Sequence, residues 1–270
     1  MNADVLRRNN VKVFGAGTQP MLFAHGFGCD QNMWRFVTPA FADRYKIVLF
    51  DYVGAGKSDV SAYDPRRYGS LEGYAQDVLE ICEALDLRDI IFVGHSVSSV
   101  IGVLAANRAA ERFERLIMVG PSASYINDAD YVGGFERKDI EGLLEMMDKN
   151  YLGWASFLAP AVMKNANDPA LTAELEQSFC ATDPKIARRF AEITFLSDNR
   201  ADFPKLQVPA LIMQCTEDMI APIPVGEWLA RQIPHNTFRL MKATGHCPHM
   251  SAPAETIAVI NDYLNLPVAA

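Results

Sequence analysis

The stretch Ile90-Ile91-Phe92-Val93-Gly94-His95-Ser96-Val97-Ser98-Ser99-Val100-Ile101-Gly102 decides how the rest of the chain is read. An apolar run rich in β-branched residues stops at Gly94, a serine follows two residues later, and Val97, Val100, Ile101 and Leu104 then recur at helical spacing. The pattern predicts strand, sharp turn, helix. A serine on such a turn has its Oγ lifted above the sheet edge, with N–H groups of the following helix directed towards it, as acyl transfer requires of a nucleophile. Ser98 stands where the G-x-S-x-G pattern has its last glycine.

Upstream, short apolar runs alternate with amphipathic ones. Val11 to Phe14 and Met21 to Ala24 read as two strands joined by a turn, and Asp30 is placed to cap a helix carrying Met33, Trp34, Val37 and Phe41. Ile47 to Phe50 is a further apolar strand. Leu71, Tyr74, Ala75, Val78, Leu79, Cys82 and Leu85 form one stripe of a helix opened by Ser70. Downstream, Leu116 to Gly120 is again wholly apolar. Strands apolar on both faces and separated by helices imply a parallel sheet covered on each side, an α/β fold.

After Pro121 this rhythm stops until the strand Pro209 to Gln214. The intervening segment reads as helices from about Glu136, Leu152, Pro169 and Pro184, with a proline suited to the first turn at the last two. Residues 122–201 are therefore expected to form a helical lid over the carboxyl ends of the strands, with 1–121 and 202–270 as the core. Val225 to Gln232, Phe238 to Met241 and Glu255 to Leu264 resume the α/β alternation.

A hydroxyl becomes a good nucleophile only when a base removes its proton, and that base needs an acid to fix its tautomer. His246, in a turn just beyond the last apolar strand, is the candidate base, with His249 as its competitor. Glu217 and Asp218 both follow the strand that ends at Gln214, and Asp218 is preferred for its shorter side chain. The oxyanion formed on attack needs two donors. These are assigned to the backbone N–H groups of Val97, next to the nucleophile, and of Phe27, in the glycine-rich His25-Gly26-Phe27-Gly28 turn. Among the lid aromatics, Trp154, Phe157 and Phe195 are expected to line the enclosed cavity.

Other patterns point to bland roles. Gly54-Ala55-Gly56-Lys57-Ser58 resembles the end of a phosphate-binding loop, but Asp51 replaces its first glycine. His246-Cys247-Pro248-His249 could supply metal ligands, yet no second cluster with suitable spacing accompanies it, so no metal or other cofactor is expected. The 270 residues carry a formal net charge of −8 without any basic run, which disfavours nucleic acid and favours small neutral or apolar ligands. Five cysteines without a C-x-x-C pair read as free thiols. No apolar stretch is long enough for a membrane span, and a cytoplasmic location is expected.

His25-Gly26-Phe27-Gly28, Asp51-Tyr52-Val53-Gly54-Ala55-Gly56-Lys57-Ser58, Gly94-His95-Ser96-Val97, Asp218 and Gly245-His246 together resemble the α/β-hydrolase superfamily. Phe27-Gly28-Cys29-Asp30-Gln31, Tyr74-Ala75-Gln76-Asp77-Val78, Leu143-Leu144-Glu145-Met146-Met147 and Gly245-His246-Cys247-Pro248-His249-Met250 are similar, more narrowly, to the RsbQ-type bacterial stress regulators and the plant strigolactone and karrikin receptors. The resemblance implies a mostly parallel sheet of eight strands with helices on both faces, and a lid of four helices. It also implies a Ser96–Asp218–His246 triad, with Phe27 and Val97 as oxyanion donors and a pocket bounded by His25, Phe27, Phe135, Trp154, Phe157 and Phe195. The expected activity is that of a carboxylesterase-type serine hydrolase acting on a small hydrophobic ester or lactone. The alternative is an RsbQ-like signalling protein that slowly cleaves its ligand and docks on a phosphatase.

Overall fold

The central apolar runs become strands here because each has an apolar layer on both sides, whereas the two edge strands are partly exposed. The computed structural model describes residues 2–165 and 167–265. Within them lie β1 (Lys12–Phe14), β2 (Pro20–Ala24), β3 (Lys46–Leu49), β4 (Ile90–His95), β5 (Phe113–Val119), β6 (Ala210–Thr216) and β7 (Asn236–Thr244), ordered β1-β3-β2-β4-β5-β6-β7 in one sheet. All neighbours are parallel except β1 and β3. Side chains alternate between layers as the pleat demands. Met21, Phe23, Ile91, Val93, Ile117 and Val119 enter one core layer, while Leu22, Ala24, Ile90, Phe92, Leu116 and Met118 enter the other.

Two sequence expectations need correction. The described residues hold seven strands, not eight: the chain before β1 is a helix, α1 (Asn2–Arg8), which extends no sheet. Its Arg8 instead pairs with Asp77 and Glu80 of α2 (Leu71–Ala84), at 3.0 and 2.8 Å. β1 and β2 are consecutive strands, as expected, but they do not pair with each other, because β3 lies between them. The helix expected after Asp30 is instead two short 3-10 turns, Gln31–Trp34 and Thr38–Ala40. Asp30 does cap the first of these, accepting from the Asn32 N–H at 2.7 Å. Pro39, with no N–H to donate, stands in the second.

The elbow helix α3 (Val97–Arg108) follows β4 directly and is buried over almost its whole length. Between β5 and β6 come α4 (Arg137–Lys149), α5 (Tyr151–Met163), α6 (Pro169–Ala181) and α7 (Pro184–Phe195). Their starts are written in the sequence. Glu136 and Asp139 make a capping box, Asn150 accepts from Gly153 N–H, and Asp168 and Asp183 cap the two helices that begin with proline. The chain closes with α8 (Ile223–Gln232), the short α9 (Pro248–Ser251) and α10 (Pro253–Leu264). No helix among the described residues is long and apolar enough to cross a membrane.

Candidate active site

Ser96, Asp218, His246 and Phe27 all sit just past the carboxyl ends of strands, β4, β6, β7 and β2 respectively. Ser96 takes φ 56° and ψ −123°, a left-handed region that costs a non-glycine residue about 1–3 kcal/mol. Surrounding contacts hold it there: its N–H donates to the Val119 carbonyl at 2.8 Å, and the Ser96 carbonyl accepts from the Ser99 N–H at 2.9 Å. Small neighbours make the turn possible. A Cβ on Gly94 would come within 2.7 Å of the Ser98 carbonyl oxygen.

From β6 the chain delivers Asp218, whose Oδ1 accepts from the Ile220 and Ala221 N–H groups at 2.8 and 3.1 Å. Its Oδ2 lies 2.7 Å from His246 Nδ1. With Nδ1–H donated to the carboxylate, His246 Nε2 is the free acceptor, and it lies 2.7 Å from Ser96 Oγ. All three side chains are buried. Of the two carboxylates the sequence left in competition, Glu217 turns outward and pairs with Lys164 at 2.5 Å. His249 lies away from Ser96, its ring against Trp34 and His95.

His246 is held by α5 as well as by the core. Its N–H donates to the Val162 carbonyl of α5 at 2.8 Å. Gly245, at φ 76°, lets the loop pass this helix so closely that a Cβ would overlap the Met163 carbonyl. From below, the His95 ring approaches the His246 carbonyl oxygen with Nε2 at 2.8 Å, a bond that makes Nε2 the protonated nitrogen. Burial lowers the pKa of His95 well below the ordinary histidine value and that of His249 to about 3, so both are neutral near pH 7. Burial also pushes the Cys29 and Cys247 thiols up, leaving them protonated.

Ser98, the residue that departs from the glycine motif, has a use. Its hydroxyl donates to the His25 carbonyl and lies 2.9 Å from the Tyr52 hydroxyl. The Tyr52 N–H in turn donates to His25 Nε2 at 3.1 Å, and His25 Nδ1 reaches the Gly26 carbonyl at 2.9 Å. His25 thus braces the backbone on either side of Gly26, one residue before Phe27. Its pKa is lowered by burial. The nearby Gly54–Ser58 loop wraps the Asp51 carboxylate, which accepts from Lys57 N–H at 2.9 Å and Gln31 N–H at 2.8 Å.

A cavity with about 30 Å³ of free volume adjoins Ser96 and His246. Phe27 and Phe195 border it, together with Leu158, Val162, Leu175 and Phe179. Trp154 packs behind, 6.0 Å from the Phe27 ring and 5.2 Å from the Phe179 ring. The fold does not bring the other expected pocket residues to the cavity. Phe157 is 56% exposed, because the face of α5 turned inward is Trp154, Leu158 and Val162, and one residue along a helix is a turn of about 100°. Phe135 is half-buried beside Ile126, and His25 is fully buried without lining the cavity. Leu158 and Val162 were missed because α5 is apolar all round, so periodicity alone cannot choose its face; Leu175 and Phe179 come from the buried side of α6, whose contact with the cavity only the packing of the helices decides.

An alpha/beta hydrolase family model matches residues 21–259. The chain belongs to the α/β-hydrolase family. It is 38% identical over 262 residues to a karrikin insensitive 2 receptor of Petunia hybrida, with 97% of each chain covered. It is 36% identical to a strigolactone esterase of Arabidopsis thaliana, over 93% of this chain and 94% of that one. A solved hydrolase from Oleispira antarctica superposes with a TM-score of 0.96 at 44% identity, covering 98% of both chains. Against this family's elbow pattern, the chain keeps a small residue at position 98 but adds a hydroxyl that ties the elbow to Tyr52 and His25.

Proposed function

We propose that the chain is a serine hydrolase that cleaves a small hydrophobic ester or lactone through an acyl-Ser96 intermediate. The observation that carries this reading is the run of 2.7 Å contacts from Ser96 Oγ through His246 to Asp218, with Ser96 held at positive φ. His246 Nε2 takes the Ser96 proton as Oγ attacks the carbonyl carbon, and Asp218 stabilises the imidazolium so formed. Val97 and Phe27 supply backbone N–H groups to the oxyanion; Val97 opens α3, so its N–H has no acceptor within the helix. The proton on His246 then passes to the leaving alkoxide. Water, activated by the same imidazole, releases the acid and restores Ser96. In a lactone the leaving alkoxide stays tethered, and one hydroxy acid results.

The apolar lining, Phe27, Leu158, Phe179 and Phe195 among it, supports a small hydrophobic acyl group. A panel of p-nitrophenyl esters of increasing acyl length tests the reading. Wild-type turnover should be fastest for the shortest chains, and Ser96→Ala should abolish it; retention of most activity in that variant would sink the assignment.

A second reading is favoured by the relatives, among which are a protein named a karrikin insensitive 2 receptor and one named a strigolactone esterase. In this reading the chain is an RsbQ-like signalling protein that binds and slowly cleaves a small ligand and docks on a phosphatase. Turnover near the enzyme median of about 10 per second supports catalysis as the main task. A burst of one product per chain followed by turnover near one per minute supports the receptor.

A further inference from the structure

Two adjacent residues at the end of β4 grip one residue of the loop after β7. Ser96 meets the side chain of His246, with Oγ 2.7 Å from Nε2. His95, the last residue of β4, meets its backbone, donating from Nε2–H to the His246 carbonyl at 2.8 Å. The His246 N–H is already committed to the Val162 carbonyl at 2.8 Å, so both backbone polar groups of the base are tied. The other nitrogen of His95 faces Gly26. A Cβ on Gly26 would stand 2.4 Å from Nδ1 and 3.0 Å from Cε1, so the ring packs directly on the residue before Phe27. That contact is packing and not bonding, because Nδ1 has no hydrogen-bond partner among the described residues. Two more rings hold His95 in place: His249 lies 4.4 Å from it and 4.6 Å from Trp34, centroid to centroid. His95 borders the cavity, but with Nε2 committed and Nδ1 against Gly26 it has no polar atom to offer a substrate.

We propose, on the reading that the chain is a serine hydrolase, that His95 is a positioning residue that sets both the catalytic base and the oxyanion loop at a fixed distance from Ser96. Acyl transfer needs an attacking oxygen, a base and two N–H donors to converge on one carbonyl group. Here they come from three different strand ends, β4, β7 and β2. His95 meets all three: it is joined to Ser96 through the chain, bonded to the backbone of His246, and packed on Gly26. The two attachments of His246, side chain to Ser96 and carbonyl to His95, remove a rotation that either bond alone would allow. Imidazole suits the place because its neutral form carries one N–H and one bare nitrogen. The N–H serves the carbonyl, while a proton on Nδ1 would point into the Gly26 contact. Burial keeps the ring neutral by lowering its pKa well below the ordinary histidine value.

The test compares His95→Leu, which fills the space without a donor, with His95→Gln, whose amide N–H groups can reach the same carbonyl. A misplacement of about 1 Å costs about 10² in rate, so with p-nitrophenyl acetate His95→Leu should lower kcat by about 10- to 100-fold, change KM by less than about threefold, and see at least about a third of the wild-type kcat return in His95→Gln. The pKa governing the acid limb of kcat/KM should move by less than about 0.5 in His95→Gln, because position 95 meets the backbone of the base and not its ring. Gly26→Ala presses on His95 from the other side and should lower kcat by about tenfold. Full activity in His95→Leu, no recovery in His95→Gln, or a pKa shift of about one unit or more would overturn the positioning role. Should His95→Leu fail to fold, ring-nitrogen NMR of the wild-type chain replaces it: the Nε2–H tautomer is expected at His95, and the Nδ1–H tautomer would refute the bond. Hydrolysis that survives Ser96→Ala would overturn the hydrolase reading itself, whereas Ser96-dependent hydrolysis indifferent to His95→Leu would overturn this role alone.

Discussion

The residues at the strand ends and the helices above them are secured by different forces. Ser96, Asp218 and His246 are each fixed by backbone hydrogen bonds of 2.8 Å, to Val119, from Ile220 and to Val162, on turns that leave the buried sheet. The lid helices rest mainly on aromatic packing around Phe27, whose ring meets Trp154, Phe179, Phe190 and Phe195 at 5.7 to 6.2 Å. Its polar ties lie at the edges, among them the Arg35–Glu174 pair and the Ser178 hydroxyl on the Gly28 carbonyl. Hydrogen bonds demand one geometry, while apolar packing tolerates small slides at little cost. On the proposed reading the core sets the chemistry, and the helices above it set which molecules reach it and how fast.

The sharpest way to break this division is to damage the core array alone. His246→Ala should reduce ester turnover by about 10⁴ to 10⁶, and adding Ser96→Ala should reduce it little further, because the two act as one unit. Additive losses in the double variant, read by p-nitrophenyl acetate hydrolysis, would show that they do not. Gly245→Ala probes the seam between the two regions, since its Cβ would collide with the Met163 carbonyl at a φ of 76°. Stability should fall by about 1–3 kcal/mol in urea melts, and turnover by about 10² as His246 shifts. Unchanged turnover would mean the base does not depend on the lid.

Within the core, Ser98→Ala leaves the Tyr52 hydroxyl and the His25 carbonyl without a partner they now have. The expected loss is about 1–3 kcal/mol, and Tyr52→Phe in the same background should restore part of it. A neutral Ser98→Ala would remove the hydroxyl's structural role. His25 adds a pH dependence. Its folded pKa is lowered by burial, so the stability it contributes is complete above about pH 6.5 and is lost as pH falls below that, where the unfolded chain takes up the proton first. Each such group steepens the loss by up to about 1.4 kcal/mol per pH unit, so His25→Asn should flatten the acid limb of a pH–stability curve measured by chemical denaturation. The smallest effect belongs to the lid's edge. Arg35→Ala should cost no more than about 1 kcal/mol, the pair being partly exposed, while raising the rate of ligand entry in stopped-flow binding. A slower entry rate would contradict the lid as the gate.

Much of the fold was legible because the strands are short apolar runs bounded by turn residues and the lid helices announce their starts with Glu136, Asn150, Asp168 and Asp183. Ser96, Asp218 and His246 were readable as candidates because acyl transfer restricts which residue types can follow which strands. The chain by itself could not reveal that β3 lies between β1 and β2, since pairing depends on which edges remain free once the sheet assembles. It could not turn Phe157 outward, because an all-apolar α5 has no preferred face until something packs on it. Nor could it bring His95 beside Cys247 and His249, some 150 residues away, or give the Ser98 hydroxyl its partners. Local pattern fixes the type and order of elements through backbone propensity and periodicity. Which side chains meet is decided only by the long-range packing of strands that are neighbours in space and distant in sequence.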